Sequence, residues 1–242
     1  MRILLVSDLH YTLKQLDWVL AVASDYDVVV VAGDHLDIAS AVEPDAQIAV
    51  VLEYLTRLAA QTTVVACSGN HDLNARNELG ERGAKWLGRA RTAGVVVDGT
   101  SFSTDDVFVT VCPWWDGPRT REQVDMQFAD DARRVGDRRW IWVYHAPPDA
   151  SRTSWTGTRH YGDEFLGAWI RRYRPMAVLC GHVHQSPFAS AGSWFDQLGP
   201  TVVFNAGRQR GPVPAHIELD TEAGQATWRS LARTEEQAFA SA

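Results

Sequence analysis

The chain has 242 residues, 45% hydrophobic and 22% charged, ordinary globular values that exclude a disordered or fibrous protein. A formal net charge of −7 argues against the basic surface that duplex nucleic acid would need. No apolar run approaches the ~20 residues of a membrane-spanning helix. The three cysteines, Cys67, Cys112 and Cys180, have no ligand spacing and an odd count, the usage expected in a reducing cytoplasm.

The N-terminal apolar run meets Asp8 and His10 too soon for a signal-peptide core, which again points to a cytoplasmic chain. Ile3–Ser7 has the length and branching of a buried strand. In 12–23, Leu13, Leu16, Val19, Leu20 and Ala23 recur at helical spacing. A buried strand over 27–32, a helix over 45–60 and a strand over 63–67 follow. Continuous apolar strands alternating with helices read as βαβ units with both sheet faces covered. Residues 78–92 are predicted as a helix and 95–97 as a strand. In the second half, strands are predicted over 107–112, 140–144 and 177–180, with helices over 121–134 and 164–173. The segments 202–205, 215–220 and 225–230 read as strands without helices, which suggests a second sheet closing the fold. Residues 1–231 read as one domain, and 232–242 as a loosely held tail.

Five strands run directly into polar residues of metal-ligand type. The first ends in Asp8-Leu9-His10, the second in Gly33-Asp34-His35-Leu36-Asp37, the third in Gly69-Asn70-His71-Asp72. Strand 140–144 ends in His145, and strand 177–180 in Gly181-His182-Val183-His184. The carboxyl ends of parallel strands share one sheet edge, so these residues can converge. Asp-x-His alone is common, whereas Gly-Asn-His-acid is expected by chance only about 10⁻³ times in such a chain. Carboxylate oxygens, an amide oxygen and imidazoles form a mixed O/N donor set suited to Mn²⁺, Fe or Zn²⁺.

In this order, the motifs strongly resemble the signature of the calcineurin-like metallophosphoesterase superfamily, from Asp8 to His184. Asn205-Ala206-Gly207 is similar to the Asn-Pro-Gly-Ser segment of its small bacterial members, with alanine in place of proline. The resemblance implies an α/β fold, a four-layer α/β/β/α sandwich of two mixed sheets, with two divalent ions at the strand ends. It implies Asp8, His10 and His184 on one ion, Asn70, His145 and His182 on the other, and Asp34 bridging both. A water or hydroxide between the ions would be the nucleophile. His71 is implied as the general acid for the leaving alkoxide, and Asp37 as the carboxylate that hydrogen-bonds it and holds it charged. For Asp37 a helix N-cap remains the alternative, and Asp72 is either a cap or an orienter of a ligand.

The expected activity is hydrolysis of phosphate esters, with diesters of modest size as the expected substrates. The alternatives are a DNA-repair-type nuclease and an inactive scaffold on the same fold. Trp114, Trp115, Trp155, Trp194 and Tyr161 fall in predicted loops that could rim the site or simply pack. Arg152, Arg159 and Arg208 are candidates to grip a second phosphate or carboxylate, although no arginine cluster lies beside the signature in sequence. His35 and His216 read as structural, and His160 has no single reading. Natural substrate and oligomeric state are not encoded legibly.

Overall fold

The structure, a computed structural model, describes residues 1–239. The chain runs β1 (Arg2–Val6), α1 (Leu13–Val22), β2 (Val28–Ala32), α2 (Pro44–Ala59), β3 (Thr63–Cys67), β4 (Ala75–Arg76), β5 (Arg82–Gly83) and β6 (Val96–Val97). It continues through β7 (Thr100–Ser103), β8 (Val107–Val111), α3 (Pro118–Ala132), β9 (Arg139–Val143), α4 (Leu166–Tyr173) and β10 (Ala177–Cys180). It ends with β11 (Phe195–Leu198), β12 (Thr201–Asn205), β13 (His216–Asp220), β14 (Gln225–Arg229) and β15 (Thr234–Ala238).

Two mixed sheets face each other. The first has the order β15-β14-β13-β1-β2-β3-β6, with β1, β2, β3 and β6 parallel. The second has the order β11-β12-β10-β9-β8-β7, with β8, β9, β10 and β12 parallel. Alternation along each strand sorts the side chains into three cores. Ile3, Leu5, Val28 and Val30 face Val109, Ile141, Val143 and Leu179 between the sheets. Leu4, Val6, Val29 and Val31 point the other way, onto Leu16 and Val19 of α1 and Ile48, Val51 and Leu55 of α2. Trp140, Trp142 and Val178 meet Phe128 of α3 and Trp169 and Ile170 of α4 on the far side. The result is the expected four-layer α/β/β/α sandwich. No helix among the described residues is long and apolar enough to cross a membrane.

Three expectations are corrected. Residues 78–92 do not form an α-helix: a β4–β5 hairpin leads into a 3-10 segment over Lys85–Ala93. The Asn77 side chain accepts from the Leu79 and Glu81 amides, and Gly80 turns with φ 82°, so a local turn outcompetes the helix. Second, β13 and β14 do not build the second sheet; β13 pairs antiparallel with β1 and extends the first. Third, residues 234–238 are not a loose tail. They form β15, paired along β14, and Phe239 is buried against the inter-sheet core. Residues 240–242 of that expected tail lie outside the described ones.

Candidate metal centre

Parallel strands of both sheets deliver the polar residues to one edge. Asp8 and His10 follow β1, Asp34 follows β2, Asn70 and His71 follow β3, His145 follows β9, and His182 and His184 follow β10. The backbone turns sharply there: Asp8, His10, Asp34 and His182 have φ of 55°, 42°, 54° and 67°. Non-glycine residues in this left-handed region cost about 1–3 kcal/mol each and persist only when their surroundings hold them. Here neighbouring loops do so, through Asp8 N–H to Gly33 O at 3.1 Å and His10 N–H to Asp34 O at 2.9 Å.

Donor atoms of Asp8, His10, Asp34 and His184 all lie within 4.8 Å of one another. His10 Nε2 is 3.1 Å from His184 Nε2 and 3.6 Å from Asp34 Oδ2. His184 Nε2 is 3.2 Å from Asp8 Oδ1, and His145 Nε2 is 3.4 Å from Asp34 Oδ2. Asn70 Oδ1 and His145 Nε2 are buried without a hydrogen-bond partner. Buried polar atoms are normally satisfied, so orphaned lone pairs beside two carboxylates fit divalent cations. The His182 ring lies 5.1 Å from that of His145. The donor set contains no sulfur.

Charge reinforces this geometry. Burial would raise the carboxyls of Asp8 and Asp34, but the neighbouring histidines outweigh it. Asp8 is held at about 2, and Asp34 lies well below the usual carboxylate range. Burial lowers His10 and His182 to about 4, so both rings are neutral, as metal ligands must be. Burial would also lower His145, but the charge of Asp34 carries it up to about 9, so Nε2 would have to release a proton before it could take a cation.

Two motif glycines are spacers for these ligands. A Cβ on Gly69 would lie 2.2 Å from Asp34 Oδ1, and one on Gly181 2.4 Å from Asp8 Oδ2. Sequence reasoning missed this packing, as it missed the full role of Asp72. The buried Asp72 carboxylate accepts from Leu36 N–H at 3.0 Å and Gly69 N–H at 2.8 Å. It therefore ties the loop after β2 to the loop after β3, which is orienting rather than helix capping.

His71 stands beside the cluster, with Nε2 3.9 Å from Asp34 Oδ2 and its backbone N–H donating to Asp34 Oδ1 at 2.9 Å. One ring nitrogen lies within 4.8 Å of an Asp37 carboxylate oxygen. The expected Asp37–His71 hydrogen bond is not formed: Asp37 Oδ1 accepts from Ala39 N–H, and His71 Nδ1 has no partner. Asp37 does not cap α2 either, because that helix starts at Pro44 after Glu43.

A cavity of about 590 Å³ adjoins the cluster, lined by Asn70, His182, Trp114, Trp115, Tyr144 and Tyr161 among others. Trp114 and Tyr161 lie against the His182 ring, with centroids 5.2 and 5.0 Å away. Trp194 is instead a core residue between the sheets, and Trp155 packs on His160. His35 bonds Cys67 O and His216 bonds Pro214 O, both away from the cluster. Of the candidate arginines, Arg208 lies with Arg210 in a cavity shared with His184.

The family model for calcineurin-like phosphoesterases matches residues 1–186. No curated protein sequence matches the chain. Among solved structures, TT1561 of Thermus thermophilus is similar at 15% identity and a TM-score of 0.62, with 98% of each chain covered. Purple acid phosphatase PPD1 from yellow lupin seeds is similar at 14% identity and a TM-score of 0.55, covering 94% of this chain and 50% of that one. At these identities the likeness is one of fold.

Proposed function

Because the chain belongs to the calcineurin-like phosphoesterase family, and is a metal-dependent phosphoesterase, we propose that it hydrolyses phosphodiesters of modest size at a dinuclear centre. The convergence of four donors within 4.8 Å, beside the orphaned Asn70 Oδ1 and His145 Nε2, carries this reading. Asp8, His10 and His184 would hold one divalent ion and Asn70, His145 and His182 the other, with Asp34 serving both. Mn²⁺, Fe or Zn²⁺ there would supply Lewis-acid polarisation of phosphoryl oxygens and a water of lowered pKa.

The remaining chemistry belongs to the chain. His71, next to Asp34 yet outside the donor cluster, gives a proton to the departing oxygen. The Asp37 carboxylate lies nearby, with an oxygen within 4.8 Å of a His71 ring nitrogen. Trp114 and Tyr161 lie against the His182 ring and wall the cavity that takes one ester substituent. The three cysteines are free and buried, in keeping with a cytoplasmic setting.

The test is a panel run on Mn²⁺-loaded protein: bis-p-nitrophenyl phosphate, p-nitrophenyl phosphate and single-stranded DNA. Diester turnover should exceed monoester turnover, and Asp34→Ala should abolish it with loss of both ions. A clear preference for the monoester overturns the diester reading, and efficient DNA cleavage replaces it with a nuclease. Two ions retained by the Asp34 variant would exclude the bridging role.

A further inference from the structure

Two cavities adjoin the ligand cluster, and their charges are opposite. The aromatic one includes Asp116, Asp149, Asp163 and Glu164 against a single arginine, Arg82, which is paired with Asp116 at 2.9 Å. The other, of about 420 Å³, is lined by His184, Gln185, Phe188, Ala189, Arg208, Gln209 and Arg210, with no carboxylate. Neither Arg208 nor Arg210 forms an ion pair or side-chain hydrogen bond with any described residue. In a chain whose net charge is −7, this cavity thus brings together two guanidinium groups and no carboxylate.

The loop that carries them is built from the interior. Gln15 of α1, itself buried, donates through Nε2 to the carbonyls of Gln209 at 3.0 Å and Gly211 at 3.1 Å. The buried Asn205 accepts from Gly207 N–H at 2.8 Å, and Arg208 N–H donates to His184 O at 3.2 Å. Gln209 Nε2 donates to Val213 O and its Oε1 accepts from Leu231 N–H, which fixes the segment between the two arginines, both exposed where they line the cavity.

We propose that Arg208 and Arg210 form an anion subsite beside the metal centre, so that preferred substrates carry a second anionic group on the substituent lying on the His184 side. This rests on the phosphodiesterase reading and adds a charge requirement to it. Guanidinium forks suit both phosphate and carboxylate, and the two sources are separated by the choice of probe. The arginines bind and orient; they do not touch the reacting bond.

The carboxylate arm compares p-nitrophenyl 3-carboxypropyl phosphate with its neutral terminal amide, an isosteric pair differing by one charge. Wild-type kcat/KM should favour the carboxylate by about tenfold, mainly through KM. In R208Q/R210Q the ratio should fall towards one, and R208K/R210K should recover part of it. The phosphate arm is independent of turnover: calorimetry on Mn²⁺-loaded protein with methylenediphosphonate against methylphosphonate. The diphosphonate should bind about tenfold more tightly in wild type, and that advantage should vanish in R208Q/R210Q. Success in one arm alone identifies the anion as carboxylate or phosphate. A ratio near one in wild type in both arms, or a preference unchanged in R208Q/R210Q, overturns the subsite. If neither ester is hydrolysed while the arginine-dependent diphosphonate preference persists, the subsite stands and the hydrolytic reading fails.

Discussion

His145 and Ala32 are 113 residues apart and lie at the ends of strands in different sheets, yet His145 Nδ1 bonds the Ala32 carbonyl at 2.7 Å. A carbonyl can only accept, so the ring must carry its proton on Nδ1 there. In the neutral ring, Nε2 is then the lone pair aimed at Asp34, 3.4 Å away. One hydrogen bond thus joins the two sheets and selects the tautomer that leaves Nε2 open to a cation. In metal-loaded protein, ¹⁵N spectra of the histidines should show His145 protonated at Nδ1 and metal-shifted at Nε2. His145→Gln should lose about one ion per chain. Retention of both ions, or the opposite tautomer, would remove His145 from the ligand set.

Gly69→Ala should damage the centre without replacing any of its donor residues. Its methyl would fall 2.2 Å from Asp34 Oδ1 and 2.6 Å from Asp34 N, and backbone gives way poorly. Overpacking of this kind costs about 1–3 kcal/mol. Thermal denaturation with and without metal should show a lower Tm and a smaller metal-induced gain. A metal-induced gain equal to wild type would show that Asp34 moves aside freely.

His71 should matter according to the leaving group. Alkyl alkoxides are strongly basic and need a proton, whereas p-nitrophenolate departs alone. His71→Ala should therefore cost ~10²–10⁴-fold in kcat/KM on an alkyl ester and much less on the nitrophenyl ester. Asp37→Asn should act in the same direction and more mildly, since no hydrogen bond joins the two side chains among the described residues. Both variants should keep two ions by elemental analysis. Equal losses on both esters would make His71 a phosphoryl-orienting group that donates no proton.

Asp98 should make stability fall as pH rises. Burial pushes its carboxyl up to about 7, against the favourable bond from Ser68 N–H at 2.8 Å. With the folded pKa above the unfolded one, the folded state binds the extra proton. Its contribution is full below the unfolded pKa of about 4 and is lost as pH climbs through about 7. The change is at most about 4 kcal/mol, and less because the residue as a whole is only half-buried. Asp98→Asn should flatten this part of the pH–stability curve, read as urea midpoints between pH 5 and 8. A parallel curve in the variant would place the titration elsewhere.

The residue types and their order were legible because chemistry at strand ends is local: a buried apolar run followed by Asp-x-His or Gly-Asn-His states its own position. Alternation along β1 and β2 and helical spacing in α1 and α2 came through for the same reason. Only the tertiary structure decided which sheet received β13 and β14, because antiparallel pairing with β1 joins residues at opposite ends of the chain. It also turned 78–92 into a hairpin and a 3-10 segment, where the Asn77 side chain and Gly80 override helical periodicity. The clearance at Gly69, the Asp72 tie between loops, the missing Asp37–His71 bond and the Arg208–Arg210 cavity all depend on distances between segments far apart in sequence. Sequence by itself placed the polar residues after buried strands, since strand ends are written locally; their spacing and charged surroundings came only with long-range packing.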